Sequence, residues 1–393
     1  MTPTEALRSL LGERAFLSFA DYMRFALYDP RHGFYERGGR AGRGADFLTS
    51  PEVGPLFGAV IARALDAWWI ESGRPDPFVV VEVGAGPGTL ARSVRIAAPE
   101  CSSSLLYVLV EQSAFQRNMH AEHLPGWMGE RNGFELEAFV ASPQAGDGPQ
   151  FVSSAQLPAM FSGVLLANEL LDNLPFDIVR VRNSASAGQS PGQPDDQPSN
   201  RFVEQLNVSL GPDGELEVVV GPAPAAVTED VLALAVRAPE LPVDTWFPWN
   251  GEARFWLTEV ERRVSNGHIL VFDYGAPTSE LAQRPDMGWL RTFRDQQRGS
   301  HPLDDPGAQD ITTDIGIDQF QLRSSAEVTS QAAFLRLHGI DVLVEQGRAV
   351  WNERAHIADL AAIKGRSAVR EAEALLDPEG LGSFVALHWR IDG

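Results

Sequence analysis

The sequence predicts an α/β fold of Rossmann-like type, organised on a largely parallel sheet covered by helices. Three features predict it: short apolar runs without polar alternation, a glycine loop straight after one run, and a helix-compatible stretch of crossover length before the next. Continuous Val, Leu and Ile imply strands covered on both faces, the condition of a parallel sheet between helices. The runs are Phe78–Gly84, Leu105–Glu111, Gly163–Glu169 and His268–Gly275, and Thr89–Ala98 supplies the crossover of a βαβ unit.

The remaining elements follow in order. Pro55–Ile70 sets Leu56, Phe57, Val60, Ile61, Ala64, Leu65 and Trp68 along one helical face, and Ser50-Pro51-Glu52 reads as its cap, first-turn proline and early acid. Gly33–Gly44 reads as a mobile glycine-rich loop. Phe176–Arg182 and Phe202–Val220 alternate as antiparallel strands around the polar stretch Asn183–Asn200, a flexible excursion. Gln331–Gly339 reads as a helix, with Asp341–Val350 and Ser383–Ile391 as strands. The expected division is an N-terminal helical or lid segment (1–75), a core (76–183 and 268–393), and an accessory insertion (184–267).

Composition narrows the function. A formal charge of -21 over 393 residues argues against nucleic-acid backbones. The lone Cys101 excludes a disulfide framework or cysteine zinc site, and the eight histidines lack metal-ligand spacing, so no metal is expected. No apolar run is long enough to span a bilayer, and the first residues lack a secretory signal, so the expected location is a reducing cytoplasm.

The chemistry gathers at strand ends. Glu82-Val83-Gly84-Ala85-Gly86-Pro87-Gly88 has Gly-x-Gly-x-Gly spacing, where dinucleotide loops need Gly-x-Gly-x-x-Gly to set a pyrophosphate on a helix. With acidic Glu82 beside it, the loop suits a zwitterionic methionine tail, which points to S-adenosylmethionine as cofactor. Glu111, ending the next strand, stands where a ribose diol is held. After the Gly163–Leu166 strand, Asn168-Glu169-Leu170-Leu171-Asp172-Asn173 sets two carboxylates at the sheet edge, where α/β ligand sites occur. Methyl transfer mainly requires alignment of the nucleophile. Glu169 and Asp172 are therefore the catalytic candidates, able to orient a guanidinium and accept its proton. Asp172 and Asn173 can alternatively serve only to turn the chain. Asp273 either lines the same cleft or is structural. Trp246-Phe247-Pro248-Trp249 is either a substrate groove or buried packing.

These residues carry a family resemblance. Phe19-Ala20-Asp21-Tyr22-Met23, Asp46-Phe47-Leu48-Thr49-Ser50-Pro51-Glu52, Glu82 through Gly88, Val110-Glu111, Asn168 through Pro175, Asp273-Tyr274-Gly275 and Pro306-Gly307-Ala308-Gln309-Asp310-Ile311-Thr312 occur in a fixed order. In this the chain resembles the MidA-like family of protein arginine methyltransferases, whose mitochondrial member assists respiratory complex I assembly. The resemblance implies a seven-stranded methyltransferase core, S-adenosyl-L-methionine as donor and a protein substrate with an arginine acceptor. It also implies that residues 35–52 fold over the cofactor, with Asp46, Thr49 and Ser50 near it and Asn168 in the cofactor set. The chain departs from the pattern at Ala45, at Leu170-Leu171 where aromatics are usual, and at Trp289. Those departures motivate the alternative of a non-catalytic assembly factor retaining the fold. A nicotinamide-dependent oxidoreductase is the third reading, opposed by the glycine spacing.

Overall fold

The computed structural model describes residues 1–37, 49–141, 148–183, 201–294 and 297–393. The chain forms two compact units. A sheet unit takes Arg40–Leu170, Thr258–Tyr274 and Leu322–Gly393, and an accessory unit takes Met1–Gly39, Leu171–Leu257 and Gly275–Gln321.

The sheet unit has eight strands: β1 (Phe78–Val83), β2 (Leu105–Val110), β3 (Trp127–Glu130), β4 (Gln150–Ser154), β5 (Phe161–Asn168), β6 (Val264–Asp273), β7 (Glu327–Ser330) and β8 (Val385–Ile391). Their order is β7-β8-β6-β5-β1-β2-β4-β3. The pairings from β6 through β3 are parallel, while β8 runs antiparallel to β6 and β7 antiparallel to β8. The expected apolar runs thus lie side by side, and short β3 adds an edge strand to the seven expected. Every residue of β1 and β2 is buried, as parallel strands between helices require. From β1 the chain builds outward through β2, then returns to β1's other side with β5. That reversal makes the end of β1 a topological switch point, where ligands bind in such sheets.

Helix Pro55–Glu71 buries Phe57, Val60, Ile61, Ala64, Leu65 and Trp68 in one core with Phe78, Val80 and Tyr107. Each Phe, Val, Ile and Leu side chain among them contributes about 1.5–3 kcal/mol on full burial. Ser50 is not its cap. Ser50–Val53 is a separate short turn of helix, with Thr49 preceding it and Gly54 breaking the chain. The long helix is capped by the buried Glu371 carboxylate, which accepts from Leu56 N–H at 2.9 Å. A negative charge there complements the helix dipole.

Asp341–Val350 is not a strand. It lies in helix Ile340–Arg354, whose Ile340 and Val344 are buried at helical spacing and which packs on helix Leu360–Leu375. Gln331–Leu337 is the expected helix and Val385–Ile391 the expected strand.

In the accessory unit, Asp177–Asn183, Arg201–Leu210 and Leu216–Pro222 pair antiparallel as expected. Phe247–Trp249 forms an edge strand on Asp177–Val179, with Phe247 and Trp249 buried, so this cluster is packing rather than groove. The division differs from the expected one. Helices Pro3–Glu13 and Phe19–Tyr28 bury Leu7, Leu11, Tyr22, Met23 and Leu27 with Phe176, Val208 and Trp289. Residues 1–75 are therefore split between the units, and Gly275–Gln321 joins the accessory unit. Apolar helix faces chose their partners by long-range packing, which chain order does not display. The 183–200 excursion beyond Asn183, and most of the Gly33–Gly44 loop, lie outside the described residues.

Candidate functional site

The glycine loop leaves β1 at the switch point. Gly84, Gly86 and Gly88 all hold left-handed φ, at 68°, 51° and 83°, which residues with a Cβ rarely adopt. Gly88 N–H bonds Ala85 O at 2.9 Å, closing the turn into helix Thr89–Ala97. A Cβ on Gly86 would meet nothing within 4 Å, whereas Gly84 is covered by Leu170, 3.1 Å from the corresponding point.

Glu111 reaches the loop. Its Oε2 accepts from Gly86 N–H at 3.0 Å and its Oε1 from Ser113 N–H at 2.8 Å. Burial raises its pKa, and those backbone donors partly oppose the rise. Glu82 lies elsewhere. Strand alternation puts it on the face of Phe78 and Val80, inside the core, where it accepts from Tyr107 O–H at 2.8 Å. Burial pushes its pKa up to about 8. It is packed inside the core rather than lining the loop's open side.

Two histidines escaped sequence reasoning. His120 is fully buried, with Nε2 2.8 Å from Gly86 O and Nδ1 2.7 Å from Ser153 Oγ. His123 Nδ1 lies 2.8 Å from Pro87 O. Neither has a motif, because their role depends on β2's following turns lying beneath the loop.

At the end of β5, Glu169 takes positive φ (50°), and its N–H bonds Phe272 O at 2.8 Å. Its Oε1 accepts from Ser50 N–H at 3.1 Å and Asn168 Nδ2 at 3.0 Å. Asn168 Oδ1 is buried without a hydrogen-bond partner among the described residues. Ser50 Oγ pairs with Gln331 at 2.8 Å, and Thr49 precedes it, buried. Ser50, Asn168 and Glu169 are thus joined, while Asp46 lies outside the described residues. Asp273 is buried and accepts from Tyr274 N–H at 2.9 Å.

Asp172 belongs to the accessory unit, and its neighbours there come from far along the chain. Thr312 O–H donates to its Oδ2 at 2.6 Å, and next to it Asn173 Nδ2 donates to Asp310 at 3.2 Å. Tyr35 O–H also donates to Asp310, at 3.1 Å, and Tyr28 O–H to Asn173 O at 2.9 Å. Burial lifts Asp172 to about 6 and Asp310 to about 7. The Asp-Ile-Thr segment named in the resemblance therefore surrounds the Asp172-Asn173 pair.

Comparison with known proteins decides the family: residues 60–335 match the one described as "Putative S-adenosyl-L-methionine-dependent methyltransferase". The chain belongs to that family. Among curated relatives, the Drosophila melanogaster "Protein arginine methyltransferase NDUFAF7 homolog, mitochondrial" is 26% identical over 79% of this chain and 67% of its own length. The Homo sapiens protein arginine methyltransferase of that name is 24% identical over 83% of this chain and 70% of its own. A Burkholderia thailandensis protein crystallised with S-adenosyl-homocysteine superposes with a TM-score of 0.73 at 23% identity, covering 100% of this chain and 92% of that one, and so shares its fold. The cytoplasmic expectation is overturned, since these relatives are named as mitochondrial proteins.

The residues present fit this methyltransferase's cofactor. Gly86 has open space where a side chain would stand, and Asn168 Oδ1 is a buried acceptor in want of a donor. The cofactor of the family, S-adenosylmethionine, brings an ammonium group that can supply one.

Proposed function

We propose that this methyltransferase moves a methyl group from S-adenosylmethionine to an arginine nitrogen of a protein. The names of the curated relatives support the acceptor class. When bound, S-adenosylmethionine supplies an electrophilic methyl group on a sulfonium. Gly84, Gly86 and Gly88 would hold it through close backbone approach, Glu111 would take its ribose hydroxyls and Asn168 its ammonium. Thr49 and Ser50 would flank it, as the family pattern implies.

The observation that carries the acceptor reading is Glu169. Two donors on one oxygen fix the orientation of its carboxylate, and a fixed negative charge can hold a guanidinium in line for transfer. Asp172, within the accessory unit, carries a carboxyl that burial raises to about 6, suited to taking up a proton near neutrality.

Incubating the protein with labelled S-adenosylmethionine and a cell lysate, followed by mass spectrometry, tests the reading. Methylarginine on a protein is the expected result. Label confined to another residue type would refute the acceptor, and calorimetry without heat on adding S-adenosylmethionine would refute the cofactor assignment.

A further inference from the structure

His120 sits under the glycine loop at the head of a hydrogen-bond chain. Gly86 O can only accept, so the ring's Nε2 carries the proton at 2.8 Å. The neutral ring then leaves Nδ1 to accept from Ser153 O–H at 2.7 Å. Ser153 Oγ in turn accepts from Trp127 Nε1–H, also at 2.7 Å. Indole can only donate, so Ser153 Oγ accepts from Trp127 and its own proton goes to Nδ1, completing a chain whose direction the Gly86 carbonyl sets.

The ring also packs against the loop. A Cβ on Gly88 would come 3.3 Å from His120 Cδ2, so the imidazole occupies the space beneath the third glycine while holding the carbonyl of the second. Both His120 and Ser153 are fully buried, so a hydrogen bond left unmade there would cost the full desolvation of its donor or acceptor. The charged groups that act on the ring are His123, Arg117 and Glu130, and burial outweighs them in keeping it neutral.

We propose that His120 is a positioning residue of the cofactor site, its Nε2–H held on the Gly86 carbonyl and its Nδ1 satisfied by Ser153, so that the Gly86 peptide stays turned to receive S-adenosylmethionine. The proposal rests on the family's cofactor and not on the identity of the acceptor. With the other tautomer, a nitrogen lone pair would face the Gly86 carbonyl, and the loop would lose its anchor at the residue whose N–H meets Glu111.

Calorimetric titration of S-adenosylmethionine into a set of variants tests this. His120→Leu should weaken binding about tenfold or more. His120→Gln, whose side-chain amide can donate without a tautomer choice, should recover most of that loss. Ser153→Ala should weaken binding severalfold in the wild-type background and leave it unchanged in His120→Gln. Nitrogen NMR of the wild-type ring should show a protonated Nε2 and an unprotonated Nδ1. A Ser153→Ala loss of equal size in both backgrounds, or a ring protonated on Nδ1 alone, would overturn the proposal. If wild-type protein bound no S-adenosylmethionine, the family's cofactor assignment would fail instead, and the NMR result would still judge the tautomer.

Discussion

Glu82 and the Asp172–Asp310 group are both buried carboxyls, and they differ in what surrounds them. Glu82 lies in an apolar core with one side-chain hydroxyl donor, Tyr107, and is pushed up to about 8. Asp172 and Asp310 share a cluster with Thr312, Asn173 and Tyr35 as donors, and burial still raises them to about 6 and 7. Burial raises all three carboxyls and their donors oppose the rise, with Arg291 adding to the opposition at Asp172. Glu82 sits in apolar core; the other two sit among polar groups.

The most severe test on the loop side is Gly86→Val. A branched side chain at a φ of 51° is strained and projects into the open space, so cofactor affinity should fall more than a hundredfold in calorimetry while the fold survives. On the acceptor side, Glu169→Gln should cut turnover about a hundredfold and leave S-adenosylmethionine affinity within about twofold. Full activity in that variant would remove Glu169 from the acceptor reading.

Glu82→Gln sharpens the contrast through stability. The folded pKa of about 8 lies above the ordinary 4.5, so the protonated form is the one the fold favours. Stability from this group is complete below the ordinary value and declines as pH rises toward 8. The neutral isostere should therefore melt on the order of 4 °C higher than wild type near pH 8, with the gap closing by about pH 5. An equal gap at both pH values would show that Glu82 does not titrate in this way. The smallest effect is expected from Thr312→Val. Losing a donor that lowers Asp172 should move the acid limb of turnover to higher pH, costing about threefold at pH 6 and little at pH 8. A limb that stayed in place would separate Asp172 from the proton transfer.

Legibility in the sequence followed burial. The runs that became β1, β2, β5 and β6 were readable because both faces are covered, so apolar residues are consecutive. Helix Ile340–Arg354 misled because only Ile340 and Val344 are buried on it, too few to display a helical period. The capping of helix Pro55–Glu71 was hidden because the cap, Glu371, lies more than 300 residues away in the chain. Asp310 was visible as a motif but not as a neighbour of Asn173, because strand Asp310–Thr313 reaches it only through folding.

The sequence alone determined four strands of the sheet, the crossover between β1 and β2, the glycine loop and the acid at the end of β2. Those features are local, since backbone freedom and apolar continuity are properties of adjacent residues. Tertiary structure decided which side of the sheet Glu82 faces, that His120 supports Gly86, and which distant residues surround Asp172. The physical reason is that burial and hydrogen-bond partners belong to packed neighbours rather than to chain neighbours, and those two quantities set each carboxyl's proton affinity.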